Sequence, residues 1–153
     1  MEVFNLFDGE LEDRQHPRKG YFLRNARLGP RLWAAAIGAT VYELAAGERV
    51  APYHWELGNE EWLLVLDGEV TLRAPDGERA LRPGEVVCFP EGPAGAHEVR
   101  NDGDAAVRVA IFSTKREPAA FFYPDSRKVG IVGAGTWTLV RSEPQLDYWE
   151  GER

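Results

Sequence analysis

Several things are scarce in this 153-residue chain, and each scarcity closes off a class of function. There is one cysteine, Cys88, so no intramolecular disulfide can form. It lies in GEVVCFP, which reads as a buried strand where a lone thiol acts as a small hydrophobe. Cations are outnumbered: 18 Lys and Arg against 25 Asp and Glu give a net charge of -7. No block of five or more Lys and Arg occurs, and phosphate backbones need clustered cations, so no nucleic-acid partner is expected. No apolar run approaches the roughly 20 residues needed to span a bilayer, so no membrane role is expected. The opening MEVFNLFDGE is acidic and lacks the basic start and apolar stretch of a secretory signal, which makes a cytoplasmic protein the expectation. Helical periodicity is nearly missing as well. The best local case, 31–37 (RLWAAAI), is too short for a helix to be assigned.

What is present is short, apolar and regularly interrupted. Hydrophobic residues at 44 % and charged residues at 28 % describe an ordinary globular chain, long enough for one domain with a core. Sixteen Gly and ten Pro separate runs rich in Val, Leu, Ile and aromatics. Strands are predicted at 38–45, 61–66, 69–74, 79–82, 85–89, 96–100 and 106–113. Turns fall at AAGE (45–48), Asp67-Gly68, PDGE (75–78), RPGE (82–85) and NDGD (101–104). The stretch from Glu61 to Glu85 reads as a meander joined by tight turns. The expected fold is all-β, a sandwich or barrel in one domain over 1–153, with a core at about 38–113 and extensions at 1–37 and 114–153. Val107, Val109 and Ile111 alternate and should line the interior.

Only three histidines are available. His16, in EDRQHPRKG, is expected on the surface. His54 opens the more informative segment, PYHWELGNEEWLLVLDGEV. If 53–57 is a strand, alternation puts His54 and Glu56 on one face and Tyr53, Trp55 and Leu57 on the other. Glu61 heads the apolar run Trp62–Leu66, where a carboxylate is costly to bury without a cation or donors. His97 starts a strand after the loop Pro90–Ala96. Two imidazoles and one or two carboxylates can thus converge inside a barrel, a plausible donor set for a divalent transition metal.

These segments resemble the two motifs of the cupin superfamily. In the first, a Gly precedes a His-any-His pair, a Glu follows three or four residues later, and a Gly closes the motif six residues after that. Here it reads Gly47, His54-Trp55-Glu56, four residues, Glu61, six residues and Gly68. In the second, Gly84, Pro90-Glu91-Gly92, His97 and Asn101 stand in the family's order. Two departures stand out. Glu56 replaces the second His, and the gap between Gly92 and His97 is two residues longer than usual. Taken position by position, the resemblance implies a metal held by His54, Glu61 and His97, with Glu56 as a fourth ligand or as a general base beside it. The implied cofactor is one divalent transition metal: Fe, Mn, Ni or Zn. Two carboxylates would favour Mn or Fe over Cu. The implied fold is the cupin double-stranded β-helix, a jelly-roll barrel, with N- and C-terminal extensions. The chain is further similar to stand-alone bacterial cupins in its Glu60-Glu61-Trp62-Leu63 strand, in Tyr123-Pro-Asp-Ser126 with Lys128, and in the final Asp147-Tyr-Trp-Glu150.

Two functions follow from this resemblance. One is a metal-dependent enzyme of isomerase, lyase or dioxygenase type acting on a small molecule in the barrel, with Glu56 moving protons. The other is a small-molecule-binding or sensor module. Some similar proteins carry the label sugar-phosphate isomerase, and that substrate needs Lys or Arg aimed into the barrel mouth. Arg73, Arg82, Arg108 and Lys128 are the candidates. An outward Trp55 and the aromatic tail LDYWEGER need cover, so a homodimer is expected, pairing through sheet edges.

Overall fold

The computed structural model describes residues 1–14, 18–21 and 23–152; His16 lies outside them. In chain order these residues form β1 (Glu12–Arg14), β2 (Leu23–Arg27), a single helical turn α1 (Leu28–Arg31), β3 (Ile37–Leu44), β4 (Trp55–Leu57), β5 (Glu61–Asp67) and β6 (Val70–Ala74). There follow β7 (Gly77–Leu81), β8 (Val86–Phe89), β9 (Glu98–Arg100), β10 (Val107–Thr114), β11 (Ala119–Tyr123), β12 (Lys128–Gly133) and β13 (Thr136–Arg141). A six-stranded sheet runs β1-β2-β3-β10-β5-β8, a four-stranded sheet β13-β12-β11-β4, and a three-stranded sheet β7-β6-β9. Every pairing is antiparallel, and the fold is an all-β jelly roll. Among the described residues no helix is long and apolar enough to cross a membrane.

The large sheet is buried on both faces. Strand alternation sends Val107, Val109 and Ile111 inward, where they pack with Leu44, Leu63, Val65, Leu72 and Val99. Ala110 and Phe112 of β10 face the other way, with Val41, Leu64 and Leu66, beneath Phe4, Leu6 and Leu11 of the N-terminal segment. Double burial explains why β5 reads as an unbroken apolar run instead of an alternating one. Leu63 is fully buried in the inner cluster, so truncating it to Ala should cost about 2–5 kcal/mol. Arg108 fastens the N-terminal cover: its Nε donates to the Leu6 carbonyl at 2.8 Å and its Nη2 to the Gly9 carbonyl at 2.6 Å.

The predicted meander is not what forms. β5 pairs with β10 and β8, whereas β6 pairs with β7 and β9 in another sheet. Asp67-Gly68 is therefore a corner between sheets and not a hairpin. Gly68 has φ 73°, and a Cβ there would lie 2.6 Å from Val107 Cγ1, so this corner accepts only glycine. A two-residue turn at Pro75-Asp76 makes the true hairpin, which starts β7 two residues earlier than predicted.

The segments read as extensions are built into the sheets. β1 and β2 continue the large sheet beyond β3, and β11–β13 form the four-stranded sheet onto which β4 adds. The apolar stretch 31–37 is not a helix: α1 ends at Arg31 and β3 begins at Ile37. Trp55 does point away from His54 and Glu56, but its cover comes from the same chain. It stacks on Phe122 of β11 with ring centroids 3.9 Å apart and planes 3° from parallel. Cys88 is half-buried, less enclosed than its strand suggested.

Candidate metal centre

Two backbone hydrogen bonds bring the histidines together. His54 N–H donates to the His97 carbonyl at 3.1 Å, and His97 N–H donates to the His54 carbonyl at 2.8 Å. Their rings lie inside the barrel, with centroids 4.7 Å apart. Each Nδ1 sits 2.9 Å from a carbonyl two residues back, Pro52 for His54 and Gly95 for His97. A carbonyl can only accept, so each Nδ1 carries the proton and each Nε2 keeps its lone pair for the interior. Glu61, at the head of β5, meets both: its Oε2 lies 3.8 Å from His54 Nε2 and 3.3 Å from His97 Nε2. One donor atom from each of His54, Glu61 and His97 lies within 4.8 Å of the others.

That donor set fits a divalent transition metal. It offers two neutral imidazole nitrogens with fixed tautomers and one carboxylate, in a pocket whose other walls include Val50, Ala51, Val99 and Ile111. Burial first, and then the neighbouring His97, hold His54 down to about 4, so it is unprotonated at neutral pH as a ligand must be.

Glu56 stands to one side. Alternation along β4 buries it next to His54, as predicted, but its Oε1 is 3.9 Å from His54 Nε2 and it falls outside the mutually close trio. Burial and then the Glu61 carboxylate push it up to about 8, while a hydrogen bond from Asn59 opposes them. Glu60, by contrast, is exposed and accepts the Trp62 indole N–H at 2.7 Å.

The lengthened loop has a visible role. Its extra residues make a 3₁₀ turn, Pro93–Gly95, so β9 starts at Glu98, after His97. A Cβ on Gly95 would lie 1.9 Å from the Pro90 carbonyl oxygen, so only glycine allows the loop to close and present the carbonyl that orients His97. The His97 ring then lies flat on Phe89, with centroids 3.7 Å apart and planes 6° from parallel. Asn101 is structural. It is fully buried and its amide donates to the carbonyls of Leu44 and Ala105 at 2.9 and 2.8 Å.

The cluster lines a cavity of about 130 Å³. Val50, Ala51 and Glu98 also line a second, larger cavity of about 560 Å³ that opens outward, so the two share this wall. Of the four cations considered for the mouth, only Lys128 lines either one. Arg73 is bound to Asp125 at 2.6 Å and lies over Tyr53, Arg82 pairs with Glu69 on the surface, and Arg108 holds the N-terminal segment. Three residues to which the sequence reading gave no site role stand close to the cluster or its cavities. Tyr42 lines the inner cavity, Arg49 lines the outer one, and Tyr123 stacks on His54 at 5.8 Å. Arg49 sits in the connection between β3 and β4, where no periodicity marks a side chain's direction. Its Nε is buried without a hydrogen-bond partner, an arrangement that costs about 1–3 kcal/mol unless something fills it.

Comparison with known proteins follows the same lines. A family profile described as a cupin domain matches residues 40–113. A solved structure from Acidithiobacillus ferrooxidans, provisionally named a sugar phosphate isomerase, superposes with a TM-score of 0.76 at 26% identity, covering 83% of this chain and 81% of that one. A sugar phosphate isomerase of the cupin superfamily from Silicibacter pomeroyi gives 0.76 at 22% identity, covering 82% and 81%. A polyketide cyclase from Streptomyces resistomycificus gives 0.61 at 22% identity, covering 78% and 83%. Among curated proteins no sequence matches this chain significantly.

Proposed function

We propose that this chain, which matches the cupin-domain profile over residues 40–113, is a metal-dependent enzyme acting on a small oxygen-bearing molecule, with isomerisation the favoured reaction type. The observation that carries this reading is the convergence of His54, Glu61 and His97 at the base of a cavity, with a fourth buried side chain, Glu56, beside them. In this reading the three residues hold one divalent metal, Fe, Mn, Ni or Zn. When bound, such an ion supplies a Lewis acid that polarises a carbonyl or hydroxyl oxygen.

The rest is the work of the chain's own side chains. Pro52 and Gly95 fix the imidazole tautomers through their carbonyls, so neither ring competes as a proton donor at Nε2. Glu56 takes the proton from the hydroxyl-bearing carbon next to the carbonyl and returns it to the carbonyl carbon, while the hydroxyl proton passes to the carbonyl oxygen, so that no atom is gained or lost. An affinity for protons raised to near neutral is what a group cycling between acid and base requires. Isomerisation is favoured because one proton moved twice needs only one such group, and because the relative at 26% identity bears that name. The expected homodimer belongs to this proposal as well. With Trp55 covered internally, its ground shifts to β13, an outer strand exposed along its whole length and carrying Trp137, Leu139 and Val140.

The test uses stripped protein reloaded with Mn, Fe, Ni or Zn and incubated in D2O with a panel of aldoses, ketoses, hydroxy acids and their phosphate esters. Wild type should hold one metal per chain and exchange a carbon-bound proton of at least one compound, read by NMR. Glu56→Gln should hold the metal and lose the exchange. Tight binding of a panel compound with no exchange or conversion by the metal-loaded wild type would favour the binding module over the enzyme.

A further inference from the structure

The outer cavity has a charge that the rest of the chain does not prepare for. The protein carries net charge -7, yet the cavity of about 560 Å³ is lined by Arg18, Arg49 and Lys128 against only two carboxylates, Glu98 and Asp125. Both carboxylates are already engaged. Glu98 lies 3.3 Å from Arg49 and 3.6 Å from Arg100, and Asp125 is held in a two-pronged contact by Arg73 at 2.6 and 3.0 Å. The Lys128 ammonium has no ion pair among the described residues and rests 5.2 Å from the Tyr123 ring. Arg49 keeps a buried Nε with no acceptor. The Lys128 ammonium, with unused donors at a cavity that adjoins the donor cluster, and Arg49, whose charge is shared with Glu98, together make a complement to an oxyanion.

We propose that this outer cavity is an oxyanion subsite, in which Arg49 and Lys128 hold the phosphate or carboxylate end of a substrate whose other end reaches the His54–Glu61–His97 cluster. The substrate assignment rests on the function proposed above; the anion site itself rests on the cavity. The linkage is anatomical. Val50, Ala51 and Glu98 line both cavities, and Tyr123 lies against His54 on one side and under Lys128 on the other. A molecule with an anionic end and a carbonyl or hydroxyl end would occupy both cavities at once. A neutral one would leave the Lys128 ammonium without an anionic partner among the described residues.

Calorimetric titration of chelator-stripped protein at constant ionic strength decides this, with inorganic phosphate in one arm and succinate in the other. Saturable binding of at least one anion is expected, and the tighter of the two identifies the end group. Arg49→Gln and Lys128→Gln should each weaken it about tenfold, the loss of one charge-assisted hydrogen bond, and Lys128→Arg should keep it. Lys115→Gln serves as the control, because Lys115 lines a separate cavity of about 210 Å³ that also reaches Glu61. Absence of saturable binding in both arms, or an affinity that Lys128→Gln leaves unchanged or that Lys115→Gln lowers equally, overturns the proposal. Should Arg49→Gln fail to fold, Lys128→Gln alone decides. Parallel titrations with Mn²⁺, Fe²⁺, Ni²⁺ and Zn²⁺ keep the two readings apart: binding of an anion but of none of the four metals defeats the metal centre and leaves the anion site, and the reverse result defeats the anion site alone.

Discussion

The inner and outer cavities share a wall, Val50, Ala51 and Glu98, but about half of the outer lining comes from outside the stretch that holds the inner cluster. His54, Glu61 and His97 all come from the stretch between β3 and β10, and each is fixed by backbone geometry: a β-bridge, a strand head, a loop that glycine alone can close. Tyr123, Asp125, Ser126, Lys128 and Leu139 of the outer cavity come from beyond β10, and Arg18 and Tyr21 from before β3. The inner cavity is small and buried, and burial more than neighbouring charge holds down the affinity of His54 for protons. The outer one is open to solvent, and its cations keep water nearby. The contrast suggests a division: the barrel fixes what chemistry is possible, and the flanking strands choose which molecule receives it.

The largest effect expected from breaking this division is at the inner set. Glu61→Gln or His97→Ala should lower metal affinity by more than the roughly 10–100-fold typical of an outer-shell contact. Metal content after gel filtration and competition with a chromogenic chelator measure it; full occupancy in both variants would remove these residues from the centre. Next in size is the effect on stability. A metal held at a hundred times its dissociation constant should stabilise the folded chain by about 2.7 kcal/mol. For a domain of this length that corresponds to a rise in Tm of roughly 5–10 °C by calorimetry. Glu61→Gln should abolish the rise. An unchanged Tm in wild type counts against the site.

The pH dependence of metal-free protein separates Glu56 from the histidines. Burial holds His54 near 4, below its ordinary 6.5, so the unfolded chain binds that proton first and stability falls as pH drops from 6.5 towards 4. Glu56 is raised from 4.5 to about 8, so the unfolded chain releases its proton first and stability falls as pH climbs from 4.5 through 8. The two oppose each other between 4.5 and 6.5; above that window, of this pair, only Glu56 still acts. At about 1.36 kcal/mol per unit, wild type should lose about 2 kcal/mol between pH 6.5 and 8, measured by urea unfolding. Glu56→Gln should lose none of it. Parallel losses in the two proteins would mean that Glu56 does not titrate in that range.

How far the sequence foretold this site depends on the reach of each interaction. Alternation is local, so the inward side of His54 and Glu56 and the outward side of Trp55 could be read from β4 alone. The convergence of His54, Glu61 and His97 could be anticipated only through motif spacing, because the bridge joining 54 to 97 is long-range. The sheet partners of β5 were misread because a Gly-containing corner and a hairpin turn have the same local sequence. What separates them is Val107, 39 residues away, pressed against Gly68. Arg49 and the strands beyond Thr114 were missed for a related reason. Loop side chains follow no period, and the chain after β10 alternates weakly, since β13 is exposed on both faces.

The smallest expected effect tests whether the flanking sheet is truly separate from the inner set. β4 follows directly on His54 and carries Glu56 at its inner face and Trp55 outside, and it is held as the last strand of a sheet otherwise built from β11–β13. Phe122→Ala removes the ring that lies flat on Trp55 while leaving the backbone pairing of β4 and β11. Loss of one such aromatic pair should cost about 1 kcal/mol, a fall in Tm of roughly 2–4 °C. Metal affinity should stay within about twofold, as expected for sites that do not share a partner. The reason is that the histidine rings are oriented by hydrogen bonds to Pro52 and Gly95 and by the bridge between His54 and His97, and Phe122 takes part in none of these. If affinity falls tenfold or more, the outer strands are part of the metal centre, and the proposed division between fixed chemistry and interchangeable mouth does not hold for this protein.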